Sequence, residues 1–290
     1  MSVRDARLTL RTRFASAGIP DAEISADSLL ELVLAASPGS LIRHLRDQLT
    51  SEQHDQLETL ARRREQREPL QYLLGTWGFL DLHLRVAPGA LIPRPETEDW
   101  LLELFDFLPG TDWPSSFQFV DVGTGTGAIG LSIAHRFREA RGLLIDVSRQ
   151  ALGVAQRNLE RHPAEAERIH LCQADLTSPC RDRSVHLIVS NPPYIDSTEL
   201  QGLMPEVRDY EPSLALDGGK RGLEIINRLL GDACRVLKPG GFIALEHGMG
   251  QRFDILELAP ASLRLVRTLD DAGKRDRAIV WNYVPHTGNP

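Results

Sequence analysis

From about residue 117 onward the chain alternates between short apolar runs and segments with a 3.6-residue period, and few folds accept that alternation. The runs at 117–122, 143–147, 169–174, 185–190 and 242–246 read as buried strands. The segments 128–137, 148–161 and 223–236 read as helices, the second capped by Ser148. Lys238-Pro239-Gly240-Gly241 reads as a turn, and 264–269 and 278–284 as two more strands. Such a pattern predicts an α/β fold, a mostly parallel sheet with helices on both faces. Ligands of such sheets sit beyond the C-terminal strand ends. Gly123, Asp146, Asp175 and Asn191 all stand at such ends.

The first ~70 residues carry helical periodicity instead. Asp21 is placed to cap a helix with Ile24, Leu29, Leu30, Leu32, Val33 and Leu34 on its apolar face, ending near Ser37-Pro38-Gly39. Thr50 and Gln53 have the spacing of a capping box before Leu57 and Leu60. The arginines that follow, Arg62-Arg63-Arg64, suit the negative end of a helix dipole and read as a solvated helix end rather than a nucleic-acid patch. Leu80, Leu82, Leu84 and Val86 then alternate with polar residues as a strand, turned by Pro88-Gly89, and Pro95 with Glu96 and Glu98 starts a helix. The expected domains are 1–74 helical, 75–92 a β-hairpin linker, and 93–290 catalytic.

Bulk properties narrow the function. A formal net charge of −7 over 290 residues does not attract nucleic acid. No apolar h-region opens the chain and no run reaches the ~18 residues of a membrane span. Three cysteines without zinc spacing read as reduced thiols of a cytoplasmic protein, and the nine histidines, His286 included, show no paired ligand spacing.

Gly123-Thr124-Gly125-Thr126-Gly127 follows a strand and precedes a helix, where glycines permit positive φ and close approach of a ligand. Asp146 lies 23 positions beyond Gly123 (146 − 123) at the next strand end, where a carboxylate can accept from ribose hydroxyls. Gly125-Thr126-Gly127-Ala128-Ile129-Gly130 also matches the dinucleotide pattern G-x-G-x-x-G. Asp121, two residues before the loop, argues against a pyrophosphate and for a cationic ligand such as S-adenosylmethionine, which ranks above NAD. Asp175 is placed to accept from an adenine amino group, or to cap a turn.

Asn191-Pro192-Pro193-Tyr194 ends the strand at 185–190. Two prolines remove two N–H donors and stop the ladder, and Asn191 before a proline is held extended. The result is a stiff corner with a carboxamide and bare carbonyls beside an aromatic ring. Asn191 Oδ1 and the Pro192 carbonyl can accept both hydrogens of a planar NH2 group, with Tyr194 packing on it. That chemistry is methylation of an amide or amino nitrogen, with in-line positioning as the source of rate.

Together these motifs resemble the HemK-type protein-(glutamine-N5) methyltransferases that act on peptide chain release factors. The resemblance covers nearly the whole chain. It includes Leu91-Ile92-Pro93-Arg94-Pro95-Glu96-Thr97-Glu98, the glycine loop, Asn191 to Ile195, Tyr210-Glu211-Pro212 and Leu245-Glu246-His247-Gly248. It implies a class I S-adenosylmethionine-dependent methyltransferase fold, a Rossmann-like seven-stranded mixed sheet, with a small N-terminal helical domain. It implies methyl transfer to N5 of the glutamine in the Gly-Gly-Gln motif of class-1 release factors, leaving S-adenosylhomocysteine. Cofactor positions map to Gly123, Thr124, Gly125, Thr126, Gly127, Asp146, Asp175, Leu176 and Asn191. Catalytic positions map to Asn191, Pro192 and Tyr194, and substrate contacts to Asn191, Pro192, Pro193 and Tyr194. Leu176 departs from the usual aromatic residue, so the adenine contact there is expected to be aliphatic. The helical domain is expected to dock the release factor, which suits Arg62, Arg63, Arg64 and Arg67. A monomer is expected, with no metal, membrane or direct nucleic-acid partner.

Two rival enzymes share the corner: an N6-adenine DNA methyltransferase, which needs base flipping and a basic recognition region, and a glutamine methyltransferase of a ribosomal protein. Pro95-Glu96-Thr97-Glu98 points to the release-factor branch. A binding module without chemistry is the third alternative, disfavoured by the complete motif set.

Overall fold

The computed structural model describes residues 1–111 and 113–285; His286 and the four positions after it lie outside the described residues. The helices are α1 (Val3–Ser16), α2 (Ala22–Val33), α3 (Ser51–Glu65), α4 (Leu70–Leu74), α5 (Pro95–Phe107), α6 (Ala128–Arg136), α7 (Arg149–Arg161), α8 (Pro163–Ala166), α9 (Pro205–Arg208), α10 (Glu224–Val236) and α11 (Arg252–Leu258). The strands are β1 (Thr76–Phe79), β2 (Leu82–Arg85), β3 (Gln118–Val122), β4 (Arg141–Asp146), β5 (Ile169–Gln173), β6 (Val185–Ser190), β7 (Leu237–Glu246), β8 (Leu263–Asp270) and β9 (Asp276–Tyr283). The chain divides into two compact units. One is Met1–Trp77 with Met204–Tyr210; the other is Gly78–Leu203 with the chain from Glu211 onward.

The helical unit packs Leu10, Phe14, Leu29, Leu30 and Leu57 into its own core. Burying each such side chain stabilises by about 1.5–3 kcal/mol. The Thr50–Gln53 capping box is present in both directions, which satisfies two orphan N–H groups at the start of α3. Two expectations fail in α2. Asp21 occupies the N-cap but its side chain makes no capping bond, and its backbone (φ −99°, ψ 47°) lies outside the extended geometry typical of a cap. Ile24 and Leu32 are exposed, because the buried stripe runs through Ala26, Leu29, Leu30 and Val33.

Arg62 is exposed, but the rest of the arginine run is paired. Arg63 pairs with Glu68, while Arg64 is buried and shares Glu206 with Arg67. Tyr210 donates its hydroxyl to the Gln66 carbonyl. The segment Met204–Tyr210, far along the chain, is thus held to α3 and the turn after it by charge and hydrogen bonds.

In the second unit the sheet runs β5-β4-β3-β6-β7-β9-β8, parallel except that β9 is antiparallel to both neighbours. The seven-stranded mixed sheet implied by the resemblance is therefore present. Successive strand residues face opposite ways, so Phe119, Leu144 and Leu187 pack with Trp100, Leu101 and Leu131. Val120, Ile145 and Ile188 face the other side and pack with Leu229, Leu230 and Ala233. The chain order reverses direction at the β3–β6 neighbours, which opens a crevice at their C-terminal ends.

Two local readings change. Residues 80–86 do not form one strand: Leu80, at φ +49°, lies in the turn between β1 and β2. Lys238–Gly241 is not a turn outside the sheet but part of β7, at a register shift between Val185 and Leu187. Gly240 takes φ +81°, and a Cβ on Gly241 would lie 2.9 Å from the His186 carbonyl oxygen, so the bulge needs glycine at both positions.

Candidate active site

The crevice leads into one cavity, and every residue lining it belongs to the sheet unit. Gly123, Thr124, Gly125 and Thr126 form one wall. Gly123 and Gly125 adopt φ of +69° and +57°, and nothing lies within 4 Å of a Cβ built on Gly123. The loop's backbone is therefore open to close approach. Gly127 does not line the cavity; it is the N-cap of α6, at φ +84°, packed on Ala155.

Asp146 lines the cavity at the end of β4. Its Oδ2 accepts from the Gly125 N–H at 2.9 Å and its Oδ1 from the Ser148 N–H at 2.8 Å. The carboxylate ties the glycine loop to the start of α7 and keeps lone pairs for a ligand hydroxyl. Burial raises its pKa, against those N–H donors. Ala174, Asp175 and Leu176 line the cavity farther along that edge, where Arg228 pairs with the exposed Asp175. Leu176 has φ +48°.

Asp121 sits beneath the loop and is fully buried. Its Oδ2 accepts from the Thr124 hydroxyl at 2.6 Å and the Gly130 N–H at 2.9 Å, while its Oδ1 has no partner. Burial pushes its carboxyl up to about 7. The residue buttresses the loop from below and does not line the cavity.

Asn191, Pro192 and Pro193 form the opposite wall. The end of β6 is fastened to β3 by the Ser190 hydroxyl, which donates to the Val122 carbonyl at 2.7 Å. Beyond the prolines the backbone is clasped by Gln251, whose Nε2 donates to the Tyr194 and Arg221 carbonyls. A Cβ on Gly222 would stand 1.9 Å from the Tyr194 carbonyl oxygen, so only glycine fits there. Tyr194 itself does not line the cavity; its hydroxyl donates to Glu246 Oε1 at 3.4 Å, and burial raises its pKa.

Sequence reading missed several groups at this wall. Asn191 Nδ2 donates to Thr97 Oγ1 at 3.2 Å, and Thr97 donates to Glu246 Oε2 at 2.7 Å. Trp100 Nε1 donates to the same Oε2 at 2.7 Å. Burial raises the Glu246 pKa, against these donors. Arg94, which also lines the cavity, is held by Glu211 at 2.6 Å, and Glu211 accepts from the Ile92 N–H as well. The available signals were an acid ending an apolar strand, Glu246, and an acid beside a proline, Glu211; neither names its partner. Among the described residues no histidine, cysteine or carboxylate cluster could hold a metal.

The cavity suits a cationic nucleoside ligand. Its glycines leave the backbone bare, Asp146 faces it at a strand end, and Ile129, Val147, Ala151 and Leu176 supply apolar walls. Among the described residues Arg94 is the one Lys or Arg in the lining, and it is already paired, so the site is poorly equipped for a pyrophosphate.

Comparison with known proteins agrees with this geometry. Residues 5–75 match the PrmC N-terminal domain family, and residues 104–205 match the methyltransferase small domain family. A release factor glutamine methyltransferase of Gloeobacter violaceus is 41% identical over 78% of this chain and 79% of its own length. One of Moorella thermoacetica is 37% identical over 97% and 98%. The MTRF1L release factor glutamine methyltransferase of Homo sapiens is 38% identical over 80% and 72%. Among solved structures, a methyltransferase from Pyrococcus furiosus superposes with a TM-score of 0.51 at 19% identity, covering 71% of this chain and 91% of that one, which speaks to the fold alone. The chain thus belongs to the release factor glutamine methyltransferase family.

Proposed function

We propose that this protein transfers a methyl group from S-adenosylmethionine to the side-chain amide nitrogen, N5, of the glutamine in the Gly-Gly-Gln motif of class-1 peptide chain release factors. The observation that carries the reading is the Asn191 corner. Its Nδ2 is occupied by Thr97, while no donor among the described residues bonds its Oδ1 or the Pro192 carbonyl. Two fixed acceptors at the cavity wall suit a planar NH2 group with two hydrogens to give. The names of the relatives supply the substrate.

An amide nitrogen is a poor nucleophile because its lone pair is delocalised into the carbonyl. Accepting both N–H bonds at Asn191 Oδ1 and the Pro192 carbonyl favours a pyramidal nitrogen and gives electrostatic support as positive charge builds on it. Neither proline offers a competing N–H. Pro193 and Tyr194 keep the corner rigid, which turns binding into orientation.

When bound, S-adenosylmethionine supplies an electrophilic methyl group on a sulfonium and leaves as S-adenosylhomocysteine. Gly123, Thr124, Gly125 and Thr126 would hold it along the bare backbone, with Gly127 starting the helix behind them. Asp146 would take the ribose hydroxyls. Asp175 and Leu176 would border the adenine, the latter with an aliphatic contact. The helical unit would dock the release factor, and the protein would act as a cytoplasmic monomer. No helix among the described residues is long and apolar enough to cross a membrane.

The test is incubation with methyl-labelled S-adenosylmethionine and either a release factor or duplex DNA, followed by mass spectrometry of the Gly-Gly-Gln peptide. One added methyl on that glutamine is expected. Label only in DNA, or an unmodified glutamine, overturns the reading.

A further inference from the structure

A carboxamide can be turned over, and the turn decides what Asn191 does. With Oδ1 toward the cavity it accepts from a substrate NH2; with Nδ2 there it presents donors to donors. We propose that Thr97 is a positioning residue that holds the Asn191 carboxamide in its accepting orientation, and that Trp100 and Glu246 give Thr97 its polarity. The inference rests on the amide-methylation reading above.

The argument follows the hydrogens. Trp100 Nε1 can only donate, and it donates to Glu246 Oε2 at 2.7 Å. That oxygen already accepts one hydrogen bond, and a carboxylate or carbonyl oxygen accepts better than an acid hydroxyl. If Glu246 carries a proton, it belongs on the other oxygen, Oε1, which faces the Tyr194 hydroxyl. Oε2 therefore accepts from the Thr97 hydroxyl at 2.7 Å whether or not Glu246 is charged. Thr97 has one hydrogen, and Glu246 takes it. Toward Asn191, 3.2 Å away, Thr97 Oγ1 offers only lone pairs. Nδ2 is the only end of the carboxamide that can bond it, so Oδ1 is left for the cavity.

The surroundings make that polarity hard to lose. Glu246 is 1% exposed, Trp100 is fully buried and Thr97 is 4% exposed, so water does not compete for these groups. An unmatched polar atom there would cost the full desolvation of that group. The three residues come from two elements: Thr97 and Trp100 lie one turn apart on α5, and Glu246 closes β7. Helix α5 thus reads out the end of one strand and sets a side chain at the end of another.

The test compares Thr97→Val, which keeps the shape and loses the hydroxyl, with Thr97→Ser, which keeps the hydroxyl. Measured on a release factor, kcat/KM of the valine variant is expected to fall about tenfold to a hundredfold, the scale of a misplaced reacting group. The serine variant should stay within about threefold of wild type, and both should bind S-adenosylmethionine with wild-type Kd by calorimetry. In the ligand-free protein labelled with 15N-asparagine, the Asn191 side-chain NH2 resonances should shift in Thr97→Val and stay in place in Thr97→Ser. Trp100→Phe, which removes only the indole donor to Oε2, should show the same losses in smaller measure if the valine variant does not fold. Equal kcat/KM for Thr97→Val and wild type, or equal loss in valine and serine variants, overturns the proposal. An inactive wild type would instead overturn the methylation reading, while the NMR comparison would still decide the orientation of Asn191.

Discussion

The ion pairs of the helical unit and the acids around the cavity of the sheet unit treat buried charge in opposite ways. In the helical unit ion pairs dominate, although buried Glu31 accepts from the Leu41 N–H instead. Arg13 meets Glu58 and Glu65, Arg7 meets Asp27 and Glu23, and Glu206 is gripped by Arg64 and Arg67. Burial pulls the Glu206 pKa up, yet Arg67 and Arg64 outweigh it and the carboxyl ends below its ordinary value. In the sheet unit Glu211 pairs with Arg94, and Asp271 with Arg275 and Arg277, but Asp146 in the cavity wall and Asp121 and Glu246 behind it are bonded by hydroxyl and N–H donors. Asp121, Asp146 and Glu246 have raised pKa values because burial dominates. Ion pairs that satisfy each other organise a fold. Acids left without a cation at a cavity are tuned for something that is not part of the chain.

The sharpest way to break this contrast is to remove one partner from each side. Glu206→Ala leaves Arg64 buried without its counterion and should destabilise the helical unit by about 3 kcal/mol, read from denaturant unfolding. A change below 1 kcal/mol would mean that the pairing is ornamental. In the cavity, Asn191→Ala should cut turnover about a hundredfold and leave cofactor affinity largely intact, since it removes the acceptor proposed for the reacting group and, from the fold, the 3.2 Å bond to Thr97. Stopped-flow methyl transfer and calorimetry separate the two.

Asp146→Asn is expected to weaken S-adenosylmethionine binding about tenfold, the scale of losing a charge-assisted hydrogen bond, and to lower thermal stability, because its NH2 must face either the Gly125 or the Ser148 N–H. A Kd equal to wild type would remove Asp146 from the cofactor site. The smallest effect concerns pH. Asp121 ordinarily titrates near 3.8 and is raised to about 7 in the fold. Its contribution to stability is therefore fully present below 3.8 and lost as pH rises through 7. Unfolding midpoints from pH 5 to 8 should fall in wild type and fall less in Asp121→Asn. A bound cationic cofactor should flatten the wild-type slope.

Legibility followed distance along the chain. The Thr50–Gln53 box and the Ser148 cap are contacts across three residues, and both exist. The strand at 185–190 was readable to the residue because its apolar run stops at two prolines. Lys238–Gly241 misled because Pro-Gly-Gly is turn chemistry by composition, while the neighbouring strand β6 pulls it into a bulged ladder. Ile24 misled because periodicity marks a stripe but not which edge of it meets the core. The Asn191–Thr97–Glu246 chain joins residues 94 and 149 positions apart, and no local pattern encodes such a meeting.

By itself the sequence determined the order of strands and helices, the glycine loop, and a proline-stiffened corner at a strand end, because backbone propensity, side-chain period and the missing N–H of proline are local properties. Tertiary structure alone decided which way the Asn191 carboxamide faces, that Arg64 and Arg67 are neutralised by a residue far down the chain, and that Asp121 lies under the cavity wall instead of in it. Burial and hydrogen-bond polarity depend on what folds against a group, and that is settled only when distant segments meet.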